Sequence, residues 1–517
     1  MRPLALLLAL VALPLAAQPA ADWHLADPDS GTPGIALDEA YALVDGRTPR
    51  EIVVAIIDSG VDPEHPDLAP VMWVNADEIP GNGQDDDGNG YVDDVHGWSF
   101  LGGADGQNIE RETYEITRLV RSHRQRAAAG DVEAAARLSE LEAALDEAVR
   151  EYSFYRVMGS GMLEQAEAAD SLLRERFPDT YDPADPGALA VGMDAEAGRA
   201  QQQLVGMAAQ GLSLEALQTM MAQVDSALDY GYNVDFDPRG IVGDDPANMT
   251  ERYYGNADVH GPDPNHGTGV AGLVAALRGN DFGIEGVAPN TAEGAPVRIM
   301  AVRAVPDGDE RDKDIANAIR YAVDNGAHII NMSFGKAYSP EKSVVDEAAQ
   351  YAAERGVLLV HAAGNDGKDI GTADNFPNDV TTTGDLVSTW LEVGASTADV
   401  GALAASFSNV GDEEVDLFAP GAQVKSLAPG GETQIADGTS FAAPVVAGVA
   451  ALVMAYVPEL SAEEVRQVLL DSATDFSGKT TPQPGGEMAV PFETLSVTGG
   501  VVNAAEALRL AMERAGN

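Results

Sequence analysis

Five apolar runs constrain this chain more than any other feature: EIVVAIID (51–58), VRIMAV (297–302), HIINMS (328–333), GVLLVHAAG (356–364) and WLEVGAS (390–396). Each is too short for a typical helix and too continuously apolar for a strand with one wet face, which marks strands buried on both sides. The first stops at a Ser-Gly turn. Helical patterns lie between several of them, such as DIANAIRYAVDNG (314–326) and SVVDEAAQYAAERG (343–356), each closing at a glycine suited to a helix C-terminus. Alternating strand and helix implies an α/β fold, a three-layer sandwich with a mostly parallel central sheet covered by helices on both faces. In such sheets ligands gather beyond the carboxyl ends of the strands.

One segment breaks the alternation. From 104 to 230 the chain is rich in Ala, Glu, Arg and Leu, with stretches such as DVEAAARLSELEAALDEAVREY (131–152) that have helical spacing and few β-branched residues. This reads as a mostly helical insertion, either a packing appendage or a lid or partner surface. The expected division is therefore a signal peptide over 1–17, the sheet-bearing domain over 18–103 and 231–517, and the helical insertion over 104–230. The signal peptide rests on MRPLALLLALVALPLAAQPA, whose single Arg, apolar run from Leu4 to Leu15 and small Ala16 and Ala17 suit export and cleavage. The run is short for a membrane span, so the mature protein is expected in the periplasm or outside the cell, without membrane insertion.

With 31 Lys and Arg against 83 Asp and Glu, the net charge is −52. Such a chain repels nucleic acid and anionic membranes and favours cations. The 45% hydrophobic content is enough for a large core. Without cysteine, neither disulfides nor thiol ligands hold the fold.

Three short stretches carry chemistry. Asp58 ends the first strand, His266 opens a small-residue helix in NHGTGVAG, and Ser440 sits in GTSFAAPVVAG between a turn and a run of apolar helix formers. Each has a plain alternative: a turn-capping carboxylate, an ordinary first-turn histidine, a serine helix cap. Together they offer a nucleophile, a base and an orienting acid, and a helix N-terminus suits a nucleophile whose attack creates an oxyanion.

VAIIDSGVD, HGTGVAG and GTSFAAP resemble the three signature blocks of the subtilisin-like serine peptidases, the subtilases, in that family's order of Asp, His and Ser. The resemblance covers 51–100 and 231–510 and leaves out the helical insertion. It implies a subtilisin-like fold and a serine endopeptidase that cleaves proteins or peptides through an acyl-enzyme. Ser440 would attack, His266 would move the proton and Asp58 would orient the imidazole. Asn365, in HAAGND, matches the family's oxyanion donor, although a turn residue after a strand is its simple alternative. Ser333, Phe334 and Gly335 resemble the segment that pairs with substrate backbone. With Ala362, Ala363 and Gly364 they would line the pocket for the residue before the scissile bond, and their small or apolar character suits uncharged side chains.

GNGQDDDGNGYVDD (81–94) sets Asp85, Asp87 and Asn89 before Gly90, with Asp93 further on, spaced like the start of an EF-hand loop. These four are the expected ligands of a structural calcium; a solvated acidic turn is the alternative. The twelfth loop position is His96 instead of Glu, and Asp94 is placed to compensate. Asp67 and Asn280 resemble positions near another calcium site of some subtilases. Catalysis itself needs no cofactor.

Overall fold

The computed structural model describes residues 19–209, 212–486 and 488–516. The expected signal peptide lies outside the described residues. Two compact units are present, one over residues 116–236 and one formed by 19–115 with 237–516.

The larger unit is built on a nine-stranded sheet. From edge to edge its strands are Thr474–Asp475, Gly500–Val501, Leu417–Pro420, Trp390–Ser396, Leu358–Ala362, Ile329–Met332, Ile52–Asp58, Val297–Arg303 and Gly97–Ser99. All neighbours run parallel except the first pair. The reason for the continuous apolar runs is visible in Ile52–Asp58. Ile52, Val54 and Ile56 enter the core beneath helices Asn265–Ala275 and Thr439–Tyr456, while Val53, Ala55 and Ile57 enter the opposite core beneath Asp312–Asp324 and Lys342–Glu354. With side chains alternating across the sheet and both faces covered, both sets are apolar from Ile52 to Ile57. Each fully buried Val or Ile contributes about 1.5–3 kcal/mol.

Helix Thr439–Tyr456 is long and apolar enough to cross a membrane, yet it lies inside this core, touching the strands that carry Asn331, Val360 and Val393. Its apolarity on all sides is that of a buried central helix.

The smaller unit is helical, with Val132–Arg176 as its spine and Ala195–Ala208 and Leu214–Ser226 packed along it. Asp131 caps the spine by accepting from Glu133 and Ala134 N–H. Ala166, Ala169, Leu173, Leu204, Leu217 and Met221 form its own core. Gly159 permits close contact with the third helix, because a Cβ there would meet Met221 Sδ at 2.1 Å. Residues 104–115, which the compositional reading places in the insertion, pack with the sheet: Ile109 is buried there and its N–H donates to the Leu101 carbonyl. That stretch is mostly polar and not helical before Glu115, so its membership follows its one buried apolar anchor.

Candidate active site

Three parallel strands deliver the site residues to one carboxyl edge. Asp58 is the last residue of Ile52–Asp58, Ser333 follows Ile329–Met332, and Ala362 ends Leu358–Ala362 with Ala363, Gly364 and Asn365 beyond it. Two buried helices begin at the same edge: Asn265–Ala275 presents His266 and Thr439–Tyr456 presents Ser440. The small residues of HGTG have a packing cause. A Cβ on Gly267 would lie 2.1 Å from the Gly60 carbonyl oxygen, so only glycine lets this helix approach the strand that carries Asp58.

Asp58 is buried, and its Oδ1 lies 2.7 Å from His266 Nδ1 and accepts from Ser59 N–H at 2.7 Å. The contact fixes which ring nitrogen faces inward and leaves Nε2 for the solvent side, where the imidazole is 38% exposed. Burial opposes a charged imidazole, but the charge of Asp58 and its hydrogen bond outweigh burial and hold the His266 pKa above the ordinary histidine value. The Phe441 ring packs edge-on against His266 at 5.5 Å and keeps the ring beside the helix that carries Ser440.

Ser440 is not the helix cap. The N-cap position is Gly438, with φ 151° and no side-chain cap, and Ser440 is the second helical residue. Its hydroxyl donates to the Ser333 carbonyl at 3.3 Å. Pro444, four residues on, has no N–H for the Ser440 carbonyl, and the Ser333 hydroxyl donates to that carbonyl instead at 2.9 Å. Asn331 Nδ2 in turn donates to Ser333 Oγ at 2.9 Å. The nucleophile's backbone is thus tied to the strand expected to pair with substrate.

Asn365 is oriented by a residue that the sequence reading passed over. Its Oδ1 accepts from Thr439 N–H at 2.8 Å and from Thr439 Oγ1 at 3.0 Å, which leaves the Nδ2 donor pointing away from that grip. Ser440 N–H lies in the first helical turn, among the groups with no intrahelical acceptor. A donor amide and a helix N-terminus side by side suit a developing negative charge. Asn409 holds Ala363 and Gly364, its Nδ2 donating to the Ala363 carbonyl and its N–H to the Gly364 carbonyl, each at 2.8 Å, while Gly364 N–H donates to Thr439 Oγ1 at 3.0 Å. Phe334 is buried, while Gly335 is open to solvent with its backbone.

The acidic loop differs from its expected use. Asp85 accepts from the N–H groups of Gly88, Asn89 and Gly90, and Asp93 from those of Asn82 and Gly83, so both carboxylates shape the loop. Asn89 Oδ1 accepts from Tyr91 N–H, and its Nδ2 donates to Asp87 and Asp94. His96 faces away, its Nδ1 2.8 Å from the Trp73 carbonyl oxygen. Of the four expected ligands only Asp87 joins a carboxylate cluster, whose other members are Glu78 and Asp94, with ligand atoms within 4.8 Å of one another. Burial pushes Asp94 up to about 6 against the pull of bonds from Tyr321, Asn75 and Asn89. None of the ion pairs among the described residues involves Glu78, Asp87 or Asp94. Glu78 also accepts from the N–H groups of Asp86, Asp87 and Asp93, and Asp87 from that of Asn89, but the three carboxylates converge without a side-chain cation beside them, an all-oxygen set that fits a hard divalent cation. Glu78, upstream of the motif, carried no spacing signal. Asn280 Nδ2 and Ile284 N–H occupy the two oxygens of Asp67.

The sequence model of the subtilase family matches residues 49–487. A thermophilic serine proteinase of Bacillus sp. (strain AK1) is 36% identical over 262 residues, 50% of this chain and 58% of that protein. A subtilisin of Bacillus pumilus is 33% identical over 258 residues, 49% of this chain and 83% of that protein. The chain thus spans little more than half the length of the first of these relatives. A solved structure of proteases from Pseudoalteromonas arctica superposes with a TM-score of 0.49 at 18% identity, covering 96% of this chain and 98% of that one.

Proposed function

The chain belongs to the subtilase family, and from that premise we propose that it is an exported serine endopeptidase whose fold is stabilised by calcium. The observation that carries the reading is the buried Asp58 carboxylate 2.7 Å from His266 Nδ1, at the edge where the Ser440 helix begins. On substrate binding the Ser440 hydroxyl leaves the Ser333 carbonyl and gives its proton to His266 Nε2 as Oγ attacks the peptide carbonyl. Asp58 stabilises the imidazolium that forms, and His266 returns the proton to the leaving amine. Asn365 Nδ2 and Ser440 N–H receive the oxyanion. Water, deprotonated by the same histidine, then releases the acyl group.

The substrate is an extended polypeptide paired with Ser333–Gly335, and the small Ala362, Ala363 and Gly364 favour an uncharged residue before the scissile bond. Glu78, Asp87 and Asp94 are the residues that would hold calcium, in a loop shaped by Asp85, Asn89 and Asp93. The ion's contribution would be to neutralise that cluster. The acidic surface argues against nucleic-acid partners. Export rests on the N-terminal apolar run.

The test is to incubate the mature protein with an unfolded protein mixture, with calcium and after chelation, and to sequence the new termini. Cleavage by the wild type and none by Ser440→Ala is the expected result. Equal cleavage by both would refute it.

A further inference from the structure

Behind the expected substrate segment lies a buried charge pair that the mechanism does not use. His361 is fully buried in strand Leu358–Ala362, directly across from Glu392 on the neighbouring strand. Its Nδ1 is 2.9 Å from both Glu392 oxygens, and its Nε2 is 2.8 Å from the Phe334 carbonyl oxygen. A carbonyl only accepts, so Nε2 carries a hydrogen. A bare Nδ1 would then set a lone pair against two carboxylate oxygens. The pair therefore holds one more proton on the line between His361 and Glu392.

The surroundings support this state. Trp390 Nε1 donates to Glu392 at 2.8 Å, and Glu392 N–H donates to Asp416, which pairs with Arg466 at 2.6 Å. Glu310, which burial pushes up to about 7, and Asp379, which burial also raises, lie near the pair, and Lys336 lies beside Glu310. Burial disfavours the imidazolium, but Glu392, the Phe334 carbonyl and Glu310 together raise the His361 pKa.

We propose that His361, held doubly protonated by Glu392, is a positioning residue that locks the Phe334 carbonyl inward and so fixes the backbone of Ser333–Gly335 relative to Ala362–Gly364 for pairing with an extended peptide. It rests on the peptidase reading above. A neutral His361 can serve only one of its two partners. Gln in place of Glu392 keeps the lock, since its amide N–H donates to a bare Nδ1 while Nε2–H still donates to the Phe334 carbonyl; His361→Leu together with Glu392→Gln removes that donor without stranding a buried carboxylate.

The experiment reads peptide affinity in the full chain. In a Ser440→Ala background, the Kd of an extended uncharged peptide is measured for the parent, for Glu392→Gln and for His361→Leu with Glu392→Gln, at about pH 7.5. In the Ser440-intact chain, labelling by a small fluorophosphonate, which reacts with the serine without pairing along the strand, reports whether the catalytic groups remain assembled. The expected result is a Kd raised about tenfold in the double variant. Glu392→Gln alone should stay within about twofold of its parent, and labelling should stay within about twofold in both variants. A Kd unchanged in the double variant, an equal loss in Glu392→Gln alone, or loss of labelling together with affinity would each overturn the proposal. Absence of labelling in the unmutated protein would instead refute the peptidase reading and the proposal with it.

Discussion

His24 gives the sharpest stability prediction. It is 2% exposed, and neither ring nitrogen has a hydrogen-bond partner among the described residues. Burial dominates its titration; Asp22 opposes, Arg278 assists, and the pKa falls to about 4. In the unfolded chain the same imidazole takes up its proton near the ordinary value of 6.5. Between the two values the unfolded state binds more protons, so stability falls as pH drops from 6.5 toward 4. A gap of about 2.5 units is worth about 3 kcal/mol, of which about 2.5 kcal/mol is lost by pH ~4.5. That is a large share of a typical folding free energy. His24→Leu removes the titration and the two unmet nitrogens at similar volume. Urea unfolding should be followed for both chains in a Ser440→Ala background, which prevents self-digestion, at about pH 7.5 and about pH 4.5. The Leu variant should gain about 2.5 kcal/mol over its parent between the two conditions. A difference that stays constant with pH would refute the assignment of a buried, neutral, unpaired imidazole.

Three further outcomes are expected. Asn365→Leu should lower kcat by about a hundredfold to a thousandfold with little change in KM, the loss typical of a removed oxyanion donor; a pure KM effect would assign Asn365 to substrate binding instead. The acid limb of kcat/KM should have its midpoint above 6.5, since His266 must be neutral to act as base and Asp58 raises its pKa. Asp58→Asn should move that midpoint down as well as cut the rate, and an unmoved midpoint would show that another group sets the limb. Chelation should lower the thermal midpoint of the wild type, and the double substitution Glu78→Gln, Asp87→Asn should abolish that sensitivity; a variant that still responds to chelation places the ion elsewhere.

How far the sequence speaks depends on how local the determinant is. Ile52–Asp58, Val297–Arg303, Ile329–Met332, Leu358–Ala362 and Trp390–Ser396 all coincide with the apolar runs, because two-sided burial makes most residues of a central parallel strand apolar. The edge strands Gly97–Ser99 and Thr474–Asp475, with Gly500–Val501 beside the latter, left no such trace, being two or three residues long and too short to show a period. Asp58, His266, Ser440 and Asn365 were legible as short blocks, since each sits where a strand ends or a helix starts and the turn around it demands small residues. The acidic loop was legible as a loop but not in its use. A D-x-D-x-N-G spacing does not say which carboxylates turn inward to backbone N–H groups and which converge, and Glu78 joins from outside the motif.

What the sequence hid most fully are contacts set by register. Parallel neighbours are joined by long crossovers, so residues facing each other across two strands stand far apart in the chain. His361 and Glu392 are separated by 31 positions and Phe334 and His361 by 27, yet they form one hydrogen-bonded line. The same logic joins Ser333 to the Ser440 carbonyl across 107 positions and Thr439 to Asn365 across 74. Each of these links reaches a catalytic or substrate-facing residue from behind, through a partner with no chemistry of its own in the reaction. A motif therefore names the groups that act, while the sheet register decides which neighbours hold them still. Substitutions in the second set should change how well an extended peptide is held before they change how fast its bond is broken.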